Sequence, residues 1–242
     1  LTEQKIFIDK KPFSPWTIPM DPDDSILYKT DFPLPERQNN YETAFREAAD
    51  RLKARDIRDV AGRSGAIVIA SPQGSALLLP FIGEELVITH PDITVTHATG
   101  AGEVPMWEKI LTLHYLVRAT GAAARGEQVA FKQLEGGLAY DTAFQRRTVD
   151  LLIKRFGPGL DGMAAAGAAA GGRRSDLGEH AFSFRAFPRV EVVFVLWKGD
   201  DEFPPSGSVI FDASIADYLS TEDVAVLCNM IAVRIMKAAG AA

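Results

Sequence analysis

Two arginines that can clamp an anion, Arg185 and Arg189, flank a short stretch with an aromatic residue and a proline. A guanidinium group presents a planar fork of donors that matches a carboxylate or a phosphate. Tyr218 precedes the last predicted helix, whose N-terminal end favours negative charge. If both arginines face that helix start, these residues make one anion pocket. The alternative is that the arginines form structural ion pairs with carboxylates such as Asp212 and Asp217.

Three consecutive carboxylates, Asp200, Asp201 and Glu202, follow the aromatic residue Trp197 in a predicted turn. Carboxylates at alternate positions of an extended segment point the same way, which suits a hard cation with oxygen ligands. One of them with a raised pKa can also act as a general acid or base. The three are therefore the catalytic candidates, and Trp197 is a candidate contact for a cofactor. The alternative is a solvated hairpin turn.

His114 lies on the apolar face of a predicted helix, between Ile110 and Val117. An imidazole in such a place can ligate the metal of a tetrapyrrole or transfer a proton. The alternative is a hydrogen-bonded core histidine. The sequence contains no HExxH or HxH spacing, so we expect no metal site of that kind. The single cysteine, Cys228, cannot by itself hold an iron–sulfur cluster or form an internal disulfide.

The composition is that of a globular protein with one sizeable core, since 47% of the 242 residues are hydrophobic and 24% are charged. The formal net charge is -6, so the chain lacks the positive field that draws a protein to nucleic acid. No apolar stretch approaches the roughly 20 residues of a membrane span, and the first residues contain no secretion signal. We therefore expect a cytoplasmic protein without a nucleic-acid partner.

The pattern of apolar residues predicts an α+β fold of antiparallel sheets with packed helices. Segments with apolar residues three and four apart predict helices at 41–55, 56–63, 103–120, 140–156 and 220–239. Short β-type runs between turns predict strands at 67–69, 76–81, 85–88, 93–95, 129–134, 181–187, 190–197 and 208–212. Residues 190–197 are apolar on both alternate faces, which predicts a central strand. Ser220 and Asp223 have the spacing of a capping box at the last helix.

The chain divides into a proline-rich arm, residues 1–40, and a single α+β domain, residues 41–242. Proline removes a backbone donor and disfavours helix, so we expect the arm to be extended. It either drapes over the domain through its aromatic residues or binds a protein partner. Residues 163–178 begin with a run of alanine and glycine, which predicts a weak helix followed by a mobile loop.

Several motifs, in order, resemble one protein family. The sequences FRAFPRV, LWKGDDEFPPS and VIFDASIADYLSTEDVAVL are similar to the C-terminal signature of the domain-of-unknown-function 3786 family, and EKILTLHYLVRATG and FKQLEGGLAYDTAFQRR resemble its upstream motifs. The resemblance covers about residues 41–234. It implies an uncharacterised protein of anaerobic bacteria and archaea, whose relatives often carry an N-terminal iron–sulfur segment associated with corrinoid or one-carbon metabolism. The arm of this chain contains no cysteine, so we expect no iron–sulfur cluster in it.

Three functions are compatible with these features. The first is a binding or accessory protein, which holds an anionic or tetrapyrrole (corrinoid-type) cofactor or docks on a redox or one-carbon partner. Its candidate cofactor-binding residues are Arg185, Arg189, His114, Trp197 and Tyr218. The second is an enzyme that uses the acidic turn on a small acidic metabolite, and it ranks lower because no nucleophile–base pair or metal set is visible. The third is a structural subunit of a larger assembly.

Overall fold

The described part of the chain comprises residues 35–240 except residue 73, in a computed structural model. The predicted arm, residues 1–40, therefore lies almost entirely outside the described residues, and its path stays a prediction. Its last six residues differ from the prediction, because helix α1 spans Pro35–Lys53 and begins inside the predicted arm. Pro35 suits that place, since the missing N–H and fixed φ of proline fit the first position of a helix.

The first sheet is an antiparallel meander, as predicted. Its strands follow one another in sequence order as β1 Ile67–Ser71, β2 Gly74–Phe81, β3 Glu84–His90 and β4 Val95–His97. The last strand begins two residues later than predicted. The reason is that the Thr89 hydroxyl accepts the Thr94 N–H at 3.0 Å and bonds to the Asp92 carbonyl, which holds residues 92–94 in a turn.

The second sheet holds five antiparallel strands in the order β5-β9-β8-β7-β6. Their bounds are β5 Gln128–Ala130, β6 Arg173–Arg174, β7 His180–Phe187, β8 Val190–Trp197 and β9 Ser206–Asp212. The central position predicted for residues 190–197 is confirmed. The predicted strand 129–134 ends early, because Phe131–Gln133 form a 3₁₀ helix in which the Phe131 ring stacks on Phe144 at 3.9 Å.

The helices follow the predicted pattern with one break. The remaining ones are α2 Ile57–Ser64, α3 Met106–Arg118, α4 Gly137–Arg147, α5 Val149–Phe156, α6 Met163–Ala169 and α7 Thr221–Gly240. The single helix predicted at 140–156 is two helices, because the chain turns at Thr148, whose hydroxyl bonds back to the Phe144 carbonyl at 2.7 Å. Among residues 35–240, no helix has the length and apolar character needed to cross a membrane.

The segment predicted as a weak helix and a loop, residues 163–178, contains more regular structure than expected. Its helical part is α6, and residues 173 and 174 then form β6, which pairs with β7. The alternating apolar residues of β7 and β8, Phe182, Phe184, Val192 and Phe194 among them, form a buried face that packs on α5 and α6. We call the opposite face of this sheet the outer face.

Aromatic rings and one backbone bond join the two sheets. Phe187 of β7 stacks on Tyr115 of α3 with 4.1 Å between ring centroids, and it packs on Phe81 of β2 at 4.9 Å. The Ile82 N–H, in the turn between β2 and β3, donates to the Ala186 carbonyl at 3.1 Å. The turn of the first sheet therefore lies against the edge of the second.

Candidate functional site

A cleft of about 110 Å³ lies where the β2–β3 turn meets the edge of the second sheet. We call it the arginine cleft. Its polar lining is Arg173, Ser183, Arg185 and Glu191, and its apolar lining includes Ile82 and Phe184. Of the sequence candidates it contains Arg185 alone.

Strand pairing places the four polar residues on one face. Arg173 of β6 lies opposite Ser183 of β7, and Arg185 lies opposite Glu191 of β8. Because side chains alternate along a strand, Ser183 and Arg185 point the same way, as do their cross-strand partners. Arg173 and Arg185 are then diagonal neighbours, and residues in that relation stand roughly 7–8 Å apart. The outer face therefore presents two guanidinium groups, a hydroxyl and a carboxylate side by side.

The charges of the cleft are open to solvent. Arg173, Arg185 and Glu191 are exposed, and Ser183 is half-buried. The Arg185 Nη1 donates to the Pro188 carbonyl at 3.3 Å. Within the described residues, none of the three charged groups takes part in an ion pair.

The β2–β3 turn forms one wall of the cleft in an unusual conformation. Ile82 has a φ of 44°, in the left-handed region that a β-branched residue rarely adopts. Its N–H bonds to Ala186, and its carbonyl accepts from Arg234 Nη1 at 3.0 Å. Arg234 also pairs with Glu84. Both backbone groups of Ile82 are therefore bonded, which holds this wall in place despite the strain.

Arg189 has different neighbours from Arg185. The backbone N–H of Arg189 donates to the Tyr115 hydroxyl at 3.3 Å. The side chain of Arg189 lies beside Gly65, since a Cβ placed on that glycine would stand 3.6 Å from the Arg189 Nε. Gly65 caps the C-terminal end of α2 with a φ of 78°, and that end carries partial negative charge. Neither guanidinium group forms a hydrogen bond or ion pair with the first turn of α7 within residues 35–240. The predicted pocket at that helix start therefore stays a prediction.

Tyr218 is fully buried and forms part of the core. Its ring lies 5.9 Å from that of Tyr115, and its hydroxyl donates to the Ala122 carbonyl. Burial raises the pKa of both tyrosines, and the nearby charge of Arg189 opposes the rise. Asp217 was one of the carboxylates considered as an ion-pair partner of Arg185 or Arg189. Within the described residues, its ion pair is with Arg125 at 2.7 Å.

His114 has a carboxylate partner that its own helix does not supply. Its Nδ1 lies 2.8 Å from Oδ1 of Asp223, in the first turn of α7. The Ser220 hydroxyl donates to the other oxygen of Asp223 at 2.8 Å and accepts the Asp223 N–H at 3.1 Å. The predicted capping box is therefore confirmed. The contact with Asp223 gives His114 the hydrogen bond expected of a core histidine. The role of His114 in cofactor binding stays a prediction.

The acidic residues form a tight turn between β8 and β9. The Asp200 carboxylate accepts the N–H groups of Phe203 at 2.7 Å and Glu202 at 2.9 Å, and these two bonds lower its pKa. Within residues 35–240, no three His, Cys, Asp or Glu side chains are grouped to hold a metal ion. The geometry matches the solvated-turn alternative, in which Asp200 stabilises the turn.

Trp197 lies on the outer face but outside the cleft. It is 48% exposed and stands six residues beyond Glu191 on β8, a distance of about 20 Å along a strand. A ligand of the size of the cleft cannot contact both ends of β8. The sequence candidates are therefore spread over several parts of the molecule.

Sequence reasoning missed three cleft residues: Arg173, Ser183 and Glu191. Ser183, Arg185 and Glu191 are polar residues at alternate positions of otherwise apolar strands, and this alternation was the available signal. Arg173 gave no such signal, because it follows an alanine- and glycine-rich segment whose pairing with β7 depends on tertiary structure.

Comparison with known proteins agrees with the resemblance of the motifs. The family model described as Domain of unknown function (DUF3786) matches residues 56–234, about three quarters of the chain. No curated protein and no solved structure matches the sequence. The match gives no information on the source organism or on the iron–sulfur association that the resemblance implied. On the length of this match, the chain belongs to the DUF3786 family.

Proposed function

We propose that this protein is a binding module that holds a small anionic ligand in the arginine cleft. The observation that supports this function is the pair Arg173 and Arg185, two guanidinium groups that form no ion pair within the described residues and flank the Ser183 hydroxyl on one face of the sheet. Guanidinium groups bind carboxylates and phosphates through charge-assisted hydrogen bonds, and a hydroxyl can donate a further one.

The size and charge of the cleft suit a small ligand. Pockets for drug-sized molecules have volumes of roughly 300–1,000 Å³, whereas this cleft measures about 110 Å³. A tetrapyrrole macrocycle is too large to enter it, so a corrinoid-type cofactor needs another surface. Two arginines and one glutamate leave the lining with one net positive charge, which favours a monoanion over a cation.

The broader functions expected from the sequence gain less from the geometry. Docking on a redox or one-carbon partner, assembly through the arm and a cytoplasmic location stay predictions. The geometry supports the enzyme alternative less, because the Asp200 carboxylate accepts hydrogen bonds from two backbone N–H groups of its own turn. No second function is favoured by a specific contact of the described residues.

The test is a titration of the full chain with acetate and with inorganic phosphate at low ionic strength, followed by NMR of the backbone amides. We expect the largest shifts at residues 183–185. Arg173→Ala and Arg185→Ala should each weaken binding about tenfold, since a hydrogen bond to a charged group contributes about 1.5–3 kcal/mol.

Arg174→Ala is the matched control. Arg174 is the neighbouring exposed arginine of β6, but it lies opposite Phe182 and so belongs to the other face. Its substitution makes the same change in net charge and should leave binding unchanged. Equal weakening by all three substitutions, or no shift at residues 183–185, would contradict an anion site in the cleft.

A further inference from the structure

Arg185 and Glu191 are directly opposed residues of opposite charge that form no ion pair with each other within the described residues. The register places them across from one another on β7 and β8. Opposite charges in that position usually attract, since facing Cβ atoms lie about 4.5–5.5 Å apart. Instead, Arg185 donates to the Pro188 carbonyl, and within the described residues Glu191 forms no ion pair. The cleft therefore offers a cation and an anion side by side.

We infer that the ligand of the arginine cleft is a small zwitterion, an α-amino acid, which binds with its carboxylate at Arg173 and Arg185 and its ammonium group at Glu191. This inference rests on the proposed function, because it assigns the ligand class of the same cleft. A simple anion leaves the Glu191 carboxylate facing its own negative charge, whereas an amino acid places an ammonium group there.

The spacing of the side chains agrees with this assignment. In an α-amino acid the ammonium and carboxylate groups are attached to one carbon, so their partners must stand close together. Glu191 and Arg185 meet this condition as facing residues, and Ser183, the next residue of β7 on the same face, can donate its hydroxyl to the carboxylate. Arg173 then reaches the carboxylate from the other side.

The walls and volume limit the side chain of the ligand. Ile82 and Phe184 also line the cleft. A volume of about 110 Å³ lies well below the roughly 300–1,000 Å³ of pockets for drug-sized molecules, so the cleft suits the smallest amino acids, glycine and alanine. A longer side chain has to project into solvent.

The experiment compares alanine with propionate, which lacks only the ammonium group, in titrations of the full chain. We expect alanine to bind at least about tenfold more tightly than propionate. Glu191→Gln should reduce alanine affinity about tenfold and leave propionate affinity unchanged or higher. Arg185→Ala should weaken both ligands. Asp201→Asn is the control, because it removes an exposed carboxylate from the far end of the same sheet and should change neither affinity.

The outcomes separate the two proposals. If propionate binds as tightly as alanine and Glu191→Gln has no effect, the zwitterion assignment is wrong while the anion site stands. If neither ligand shifts the cleft amides, the site itself is wrong. A loss of alanine affinity in Asp201→Asn equal to that in Glu191→Gln overturns the assignment, because the effect then reflects net charge. Thermal unfolding checks that each variant is folded.

Discussion

His114 of α3 and Asp223 of α7 are 109 residues apart in sequence and lie 2.8 Å apart between Nδ1 and Oδ1. The second oxygen of Asp223 accepts from the hydroxyl and the N–H of Ser220, which completes the capping box. One carboxylate therefore both begins the last helix and joins it to α3. Asp223 is buried, so both of its contacts lie largely away from water.

Replacing this carboxylate should destabilise the fold. We expect Asp223→Ala to lower the free energy of unfolding by about 2 kcal/mol, since loss of an N-cap partner costs about 0.5–2 kcal/mol and loss of a hydrogen bond about 1 kcal/mol. Urea unfolding followed by circular dichroism measures the change. Glu222→Ala, one residue earlier and exposed, should cost about 0.5 kcal/mol. Equal losses in the two variants would show that the contacts of Asp223 are unimportant.

Two glycines in helices should respond in opposite ways to alanine. A Cβ on Gly167 of α6 would lie 2.9 Å from the Phe182 ring, so Gly167→Ala should destabilise the protein by about 1–3 kcal/mol through overpacking. Around Gly62 of α2, no described atom lies within 4 Å of the corresponding point. Gly62→Ala should stabilise by about 0.5–1 kcal/mol, because alanine is the better helix former. Thermal unfolding of the two variants tests the pair; shifts of the same sign would refute it.

The buried hydroxyl of Tyr115 joins two other segments. It donates to the Ser64 carbonyl at 2.5 Å and accepts the Arg189 N–H at 3.3 Å. Tyr115→Phe keeps the ring and leaves the buried Ser64 carbonyl without this donor, so we expect a loss of about 1–3 kcal/mol in unfolding free energy. Tyr140→Phe is the control, since Tyr140 is 52% exposed and should change stability by less than about 0.5 kcal/mol. An unchanged free energy of unfolding in Tyr115→Phe would contradict the stabilising role of these two hydrogen bonds.

Asp212 should contribute to stability in a pH-dependent way. Partial burial opposes its ionisation, but hydrogen bonds from Ser214 and from the N–H groups of Arg125 and Gly126 lower its pKa to about 2. The unfolded value is about 3.9, so this stabilisation is present above about pH 4 and is lost as the pH falls towards about 2. Asp212→Asn should be about 1 kcal/mol less stable than the parent at pH 7.

The measurement for Asp212 is urea unfolding of parent and variant at several pH values. The difference between them should shrink as the pH falls from about 4 to about 2. Asp201→Asn provides the comparison, because Asp201 is exposed in the β8–β9 turn. A difference for Asp212→Asn that stays constant over this range would contradict the assigned hydrogen bonds.

Local sequence patterns predicted the helices and strands correctly where neighbouring residues decide the structure. The α2 helix begins at the capping residue Asp56 and ends at Gly65, and both features are visible in the sequence. The apolar alternation of residues 190–197 predicted a central strand, which is confirmed. The break at Thr148 was missed because the residues on both sides favour helix, and a single hydroxyl bond accompanies the turn.

The candidate site was harder to predict because it is assembled from distant segments. Arg185 was identified from its type, but Arg173 and Glu191 join it only through strand pairing. The link between Arg185 and Arg189 was inferred from their closeness in sequence. The β-bulge after Arg185 and the turn at Pro188 give the two arginines different neighbours. The pocket shared by Arg185 and Arg189 at the start of the last helix therefore stays a prediction.

The turn at Ile82 connects the two sheets and α7, which affects how the protein unfolds. One backbone group of this residue is tied to Ala186 and the other to Arg234, so the first sheet is fastened to the second sheet and to α7 at the same point. Neither sheet can separate without breaking these ties and exposing the rings of Phe81 and Phe187 to water. The slow amide hydrogens of both sheets should therefore exchange in one cooperative unfolding event rather than in two steps.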